Sequence, residues 1–296
     1  MKFVVTGSLG NISKPLAEKL VAAGHDVTVV SSKAEKVAQI EALGAKAAIG
    51  SVEDVDFLTK TFTGADAVYT MVPPNFGSGN WKKYIAGIGE NYAEAIHASG
   101  VKNVVSLSSM GAHMSEGCGP VSGLYFVEKE LNALDKVNVR HLRPGFFYTN
   151  LLANAGMAKH MGIIGSNYGE NAKLVLVHPS DIAEVAAEEL QGLSFKGKSI
   201  RYIASDEKTT GEVAGILGKA IGKPELPWVN FKDEDSIGGM LQAGLPEDVA
   251  KNYAEMGAAM RSGEMASDYL KNKPSEFGKT KLEAFAPVFA AVYSQS

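Results

Sequence analysis

The chain has 296 residues, 45% hydrophobic and 21% charged, enough to bury a sizeable core in one large domain or two modest ones. A formal net charge of −4 without any basic block gives no surface for nucleic acid or an anionic membrane. The single cysteine, Cys118, excludes an internal disulfide framework and a cysteine-built zinc site.

The opening "MKFVVTG" lacks a signal-peptide pattern, and no apolar run approaches the roughly 18 residues of a membrane span, so a cytoplasmic protein is expected. Short β-branched runs predict strands over 2–7, 26–32, 46–50, 66–72, 103–109 and 137–144. Stretches with helical spacing lie between them, as at Ile12, Leu16 and Leu20, or Val37, Ile40 and Leu43. Gly24 and Gly44 fall just past two of these helices, where glycine adopts a left-handed cap most easily. Repeated units of this kind predict an α/β fold, a doubly wound parallel sheet covered on both faces.

Beyond residue 150 the alternation breaks. Residues 150–165 carry no clear strand, 178–190 predict a helix opening at Ser180 or Asp181, and 199–204 predict one more strand. From 209 onward the pattern is almost entirely helical. Residues 1–150 and about 178–206 are therefore assigned to the sheet domain. Residues 151–177 and 207–296 form a smaller, mostly helical domain on the substrate side, placed to enclose a ligand at the strands' carboxyl ends.

"VTGSLGNIS" (5–13) follows the first strand and opens the first helix, the context of a dinucleotide loop. Gly7 and Gly10 allow a tight turn that brings backbone N–H groups to a pyrophosphate. Ser13 replaces the usual third glycine, so either the helix shifts slightly or the hydroxyl reaches a phosphate. The second strand ends in Ser31, Ser32 and Lys33, with Lys36 a turn later and no carboxylate at the tip. Hydroxyls and cations there favour the 2′-phosphate of NADP(H) over the ribose of NAD(H).

Tyr125 and Lys129 have the i, i+4 spacing of a tyrosine–lysine proton-transfer pair, in which the ammonium favours the phenolate and a serine, here Ser109, polarises the substrate oxygen. With 10 tyrosines and 25 lysines in the chain, about one such pair is expected by chance. A second, Tyr269 and Lys273, indeed exists. Only the first lies between the fifth and sixth strands. Leu124, Val127, Leu131 and Leu134 form the apolar stripe of its helix, which leaves Tyr125 and Lys129 on a face turned away from the core. His113 reads as a loop histidine and Cys118 as a bystander thiol. No cluster has metal-ligand spacing. Met110, Met114 and six later methionines are core filler, some of them fit to line a pocket for an apolar or aromatic substrate.

The motifs "VTGSLGNIS", "SLSSMGA", Tyr125 to Lys129, "LRPGFFYTN" and "HPSDIAEVA", in that order, resemble the NmrA-like group of atypical short-chain dehydrogenases/reductases over essentially the whole chain. The resemblance implies a Rossmann domain with NADP and a small, variable C-terminal domain. It places Gly7, Ser8, Leu9, Gly10, Asn11 and Ile12 in the phosphate loop, and Ser31, Ser32 and Lys33 at the 2′-phosphate, where relatives often have arginine. It puts Ser51 near the adenine and Val72, Pro73 and Pro74 on the ribose side. Ser108, Ser109, Pro144, Gly145 and Phe146 fall beside the nicotinamide. Many relatives lack the tyrosine, and Glu128 fits their usual helix pattern. The expectation is an NADPH-dependent reductase of a small carbonyl or quinone-like molecule, with a non-catalytic NADP(H)-binding redox sensor, acting through a protein partner, as the alternative.

Overall fold

In the computed structural model, which describes all of residues 1–296, twelve strands form. They are β1 (Lys2–Val5), β2 (Asp26–Ser31), β3 (Lys46–Ile49), β4 (Ala67–Thr70), β5 (Asn103–Leu107), β6 (Asn138–Pro144), β7 (Phe146–Phe147), β8 (Ile164–Ser166), β9 (Lys173–Val177), β10 (Lys198–Ile203), β11 (Asp206–Thr209) and β12 (Trp228–Asn230). Seven build the central sheet in the order β10-β6-β5-β4-β1-β2-β3, and every neighbouring pair is parallel. The order reverses between β1 and β4. That reversal opens a crevice at the strands' carboxyl ends, where an open α/β sheet takes its ligand.

The helices are α1 (Ser13–Ala22), α2 (Val37–Ala42), α3 (Val55–Phe62), α4 (Trp81–Ser99), α5 (Val121–Asn132), α6 (Ala155–His160), α7 (Pro179–Gly192), α8 (Thr210–Ala220), α9 (Asp233–Gln242), α10 (Glu247–Ser262), α11 (Ser267–Lys271) and α12 (Leu282–Gln295). Alternate residues of the strands bury on opposite faces, as period-2 geometry requires. Phe3, Val5, Val27 and Val29 pack with α1 and α7 through Leu16, Leu20, Ile182 and Leu190. Val4, Val30, Val68, Val104 and Val139 pack with α3, α4 and α5 through Leu58, Ile88, Val127 and Leu131. Each such side chain, fully buried, contributes about 1.5–3 kcal/mol relative to exposure. Gly24 (φ +81°) and Gly44 (φ +83°) take the left-handed conformation expected of them.

The C-terminal side differs from the sequence reading. Strand β8 overlaps the end of the stretch expected to hold none, and β9 and β11 join β7 in a three-stranded sheet, while β12 pairs with β8. Pieces of two or three residues carry no readable period, and the buried run "LVLV" of β9 does not alternate. Helix α7 starts earlier than expected, at Pro179, with His178 as its cap, because proline's fixed φ suits the first helical position. A separate core joins Tyr148, Leu174, Leu176, Val213, Leu217, Phe285 and Phe289. No helix is long and apolar enough to cross a membrane.

Candidate active site

The crevice between β1 and β4 is lined first by the glycine loop. Gly7 has φ +95° and Ser8 φ +55°, so the chain turns through left-handed space at once after β1. A side chain on Gly7 would meet Ser13 Oγ at 2.5 Å and Met71 Cγ at 2.9 Å, so only glycine fits. Within the loop, Ser8 N–H bonds the Val30 carbonyl and Gly10 N–H the Gly7 carbonyl, whereas the N–H groups of Leu9, Asn11, Ile12 and Ser13 find no acceptor in the chain. Unsatisfied donors at the opening of a ten-residue helix, beside a backbone with no Cβ in the way, form an anion cradle. These residues fit a dinucleotide pyrophosphate. The Ser13 hydroxyl donates to the Thr6 carbonyl at 2.8 Å, so its proton is spent on the end of β1 rather than on a phosphate.

The cradle is tied to its neighbours. Thr6 Oγ1 accepts the Met71 N–H at 2.9 Å, and Tyr92 OH donates to the Met71 carbonyl at 2.7 Å, which locks the ends of β1 and β4 together. Ser31 is buried; its hydroxyl accepts from Ser8 Oγ at 2.9 Å and from Lys33 N–H at 3.2 Å. It therefore joins the glycine loop to the tip of β2 and shapes that corner. Ser32 and Lys33 are exposed there. The Lys33 ammonium has no hydrogen bond or ion pair, while Lys36 reaches Gln39 at 3.2 Å. Ser51 Oγ accepts Glu53 N–H at 3.1 Å in the turn after β3, and Val72 and Pro73, after β4, are half-buried.

At the far side of the crevice the side chains predicted for catalysis do not share a hydrogen bond. Tyr125 is half-buried with its ring edge-on to Phe126 at 5.2 Å, and exposed Lys129 lies 6.0 Å from the same Phe126 ring. Ser109 Oγ donates to the Met110 carbonyl at 2.9 Å. The group that turns inward is Glu128, only 5% exposed. Its carboxylate accepts Ser108 Oγ at 2.5 Å, Arg143 Nε at 2.9 Å and Arg143 Nη2 at 2.6 Å. Arg143 Nη1 donates to Asp268 at 3.0 Å and to Tyr202 OH at 3.2 Å. Burial works against the guanidinium's charge, but the hydrogen bonds it donates to Glu128, and that carboxylate's charge, outweigh it and push the Arg143 pKa up. One network thus joins β5, α5, β6, β10 and α11. Its signal was in the sequence: on a 3.6-residue repeat Glu128 falls inside the Leu124–Val127–Leu131 stripe, and a carboxylate on an apolar face needs a partner.

The remaining residues close the strand ends. The Pro144 carbonyl accepts Met110 N–H at 2.9 Å, and Gly145 N–H donates to Ile203 at 3.0 Å. A side chain on Gly145 would collide with the Val175 carbonyl. Phe146 pairs with β9, and its ring centroid lies 5.7 Å from that of Tyr168. His113 Nε2 is 3.1 Å from Ser267 Oγ, so the loop after β5 touches the C-terminal segment. Cys118 is buried, which pushes its thiol up to about 12 and leaves it unreactive. The chance pair, Tyr269 and Lys273, converges instead on Glu207, at 2.8 and 2.7 Å. Burial opposes that carboxylate's charge, but Lys173, Lys273 and Tyr269 together hold its pKa down at about 2. Asp181 accepts Ser205 Oγ and both the N–H and the hydroxyl of Thr280. These clamps fix the tail across the carboxyl end of β10.

The NAD(P)H-binding family model matches residues 7–191. The chain is 24% identical over 295 residues to (4-alkanoyl-5-oxo-2,5-dihydrofuran-3-yl)methyl phosphate reductase of Streptomyces griseus subsp. griseus, covering 96% of this chain and 99% of that protein. It is 24% identical over 294 residues to an NAD(P)H azoreductase of Xenophilus azovorans, covering 98% of each. Its fold is similar to that of an NADPH-dependent quinone oxidoreductase of Escherichia coli in complex with NADPH, with a TM-score of 0.79 at 21% identity and 99% of both chains covered. A cradle of free N–H groups at the sheet's reversal point and a family match across the whole of it lead to one conclusion: the chain belongs to the NAD(P)H-binding family.

Proposed function

We propose that this protein is an NADPH-dependent oxidoreductase of a small quinone-like acceptor. The observation that carries the reading is the anion cradle of Leu9, Asn11, Ile12 and Ser13 N–H groups, open at the reversal point of the sheet. The unpaired Lys33 at a carboxylate-free β2 tip supports NADPH over NADH, because a 2′-phosphate gains a charge-assisted contact there. Reductase names among the similar proteins support the direction of the chemistry. When bound, the cofactor supplies a hydride, and a quinone that takes this hydride together with one solvent proton becomes the hydroquinone.

A quinone is favoured over a simple carbonyl because the chain assembles no proton donor. A ketone leaves a strongly basic alkoxide that needs an acid at hand, whereas a hydroquinone anion is stabilised by its new aromatic ring. Ser108 is held by Glu128, Ser109 by Met110, and neither Tyr125 nor Lys129 donates to a common point. On this reading Ser108 and the Glu128–Arg143 pair shape the wall, and Tyr125 and Lys129 are dispensable. The same lack of an assembled acid favours, as second reading, a sensor that binds NADP(H) without turnover. The test follows loss of reduced nicotinamide with NADPH and NADH across quinones and ketones, using wild type, Tyr125→Phe and Lys129→Ala. Turnover of quinones that both variants keep within about twofold supports direct transfer. A large fall in either variant restores the tyrosine–lysine mechanism. No turnover with any acceptor, combined with partner binding that follows the NADP/NADPH ratio, establishes the sensor.

A further inference from the structure

The loop of residues 71–80, which joins β4 to α4, runs from the reversal point of the sheet and contains no charged residue. Its Phe76 is 41% exposed. The ring is nonetheless held, with its centroid 5.1 Å from Trp81 at an interplanar angle of 89° and 6.4 Å from Tyr253 at 72°. Trp81 and Tyr253 are themselves 5.2 Å apart at 67°. None of the three rings is stacked on another, so the cluster retains a flat face for a further ring.

Its supports are anchored. Trp81, 7% exposed, opens α4 with its N–H donating to Asp248 at 2.8 Å, and Lys82 pairs with Glu255 at 2.6 Å, so α10 is fastened over the start of α4. The cluster is also bracketed. On one side Met71, at the head of the same loop, abuts Gly7 of the phosphate cradle. On the other, the carbonyl of Asn252, the neighbour of Tyr253, fills the space beside Gly119 in the loop after β5. The loop that carries Phe76 therefore begins at the cradle, α10 with Tyr253 packs against the β5 loop, and Phe76 is the exposed member of the aromatic cluster. Gly77 and Gly79 (φ +74°) follow it, and nothing lies within 4 Å of a side chain built at Gly79, so the loop has room to adjust.

We propose that Phe76, backed by Trp81 and Tyr253, is the acceptor subsite: a platform that selects a flat, uncharged conjugated ring of the naphthoquinone class over saturated carbonyl compounds. This rests on the oxidoreductase reading, and its test reads binding without turnover. The chain has two tryptophans, so Trp228→Phe leaves Trp81 as the sole emitter. That protein, loaded with NADP⁺, is titrated with 1,4-naphthoquinone and with cyclohexanone, and emission is corrected for ligand absorbance.

Saturable quenching by naphthoquinone and none by cyclohexanone is expected. Adding Phe76→Ala weakens naphthoquinone by about five- to tenfold, Phe76→Tyr restores it, and NADPH affinity stays within about twofold in both, which shows that the fold and the cradle are intact. Equal naphthoquinone affinity in Phe76→Ala, or cyclohexanone binding as tightly as naphthoquinone, overturns the subsite. Saturable quenching by a protein that oxidises no NADPH supports the subsite while overturning the oxidoreductase reading.

Discussion

Glu128→Ala removes the acceptor of two Arg143 N–H groups and of the Ser108 hydroxyl. The side chains of the pair are 7% and 9% exposed, so solvent cannot replace what is lost. Breaking a buried pair from one side costs about 3–5 kcal/mol, because the remaining charge stays desolvated. Asp268 still faces Arg143 at 3.0 Å, so the Glu128 variant is expected near the lower end, about 3 kcal/mol. Arg143→Ala leaves two carboxylates without their cation, and about 4–5 kcal/mol is expected. Glu128→Leu combined with Arg143→Met removes both charges and keeps most of the volume, so the double variant is predicted within about 2 kcal/mol of wild type. Urea unfolding followed by circular dichroism measures all three, with a shifted midpoint at unchanged slope. Losses below about 1 kcal/mol in the single variants, or a double variant equal to their sum, refute the coupling and remove the reason for Ser108's fixed position.

Gly7→Ala forces a side chain into φ +95° and against Ser13 Oγ, which is expected to cost about 1–2 kcal/mol of stability and at least about tenfold in NAD(P)H affinity by calorimetry. Ser13→Ala added to it relieves the contact with Ser13 but neither the contact with Met71 nor the backbone, so complete rescue counts against this account. Lys33→Glu is expected to weaken NADPH by about tenfold while leaving NADH within about twofold; an equal effect on both cofactors rejects 2′-phosphate recognition. His141 is held at about 4, below its ordinary 6.5, by burial, although the Glu128 charge opposes the shift. The unfolded chain takes up a proton below about 6.5 and the folded one only near 4, so stability is full above that window and is lost as pH falls through it. The loss amounts to roughly 3 kcal/mol. Unfolding midpoints between pH 7 and pH 4 test this, and His141→Gln is expected to flatten the slope.

The Rossmann half was legible in the sequence because its determinants are local. β-Branched runs, helical spacing and capping glycines each act over a few residues, and six of the seven central strands follow from them before residue 150. The cradle was equally legible, since Gly7 and Gly10 state their backbone requirement in their own identity. Other features were decided by packing between distant elements. Helical spacing put Glu128 on the apolar face of α5 and Lys129 on the face turned away, but only docking of α5 against α4 and β6 gave Glu128 its buried partner, Arg143. Phe76 met Tyr253 across 177 positions of chain for the same reason. A local pattern says which face a residue occupies; what lies opposite that face is set by tertiary contacts whose sequence separation leaves no periodic trace.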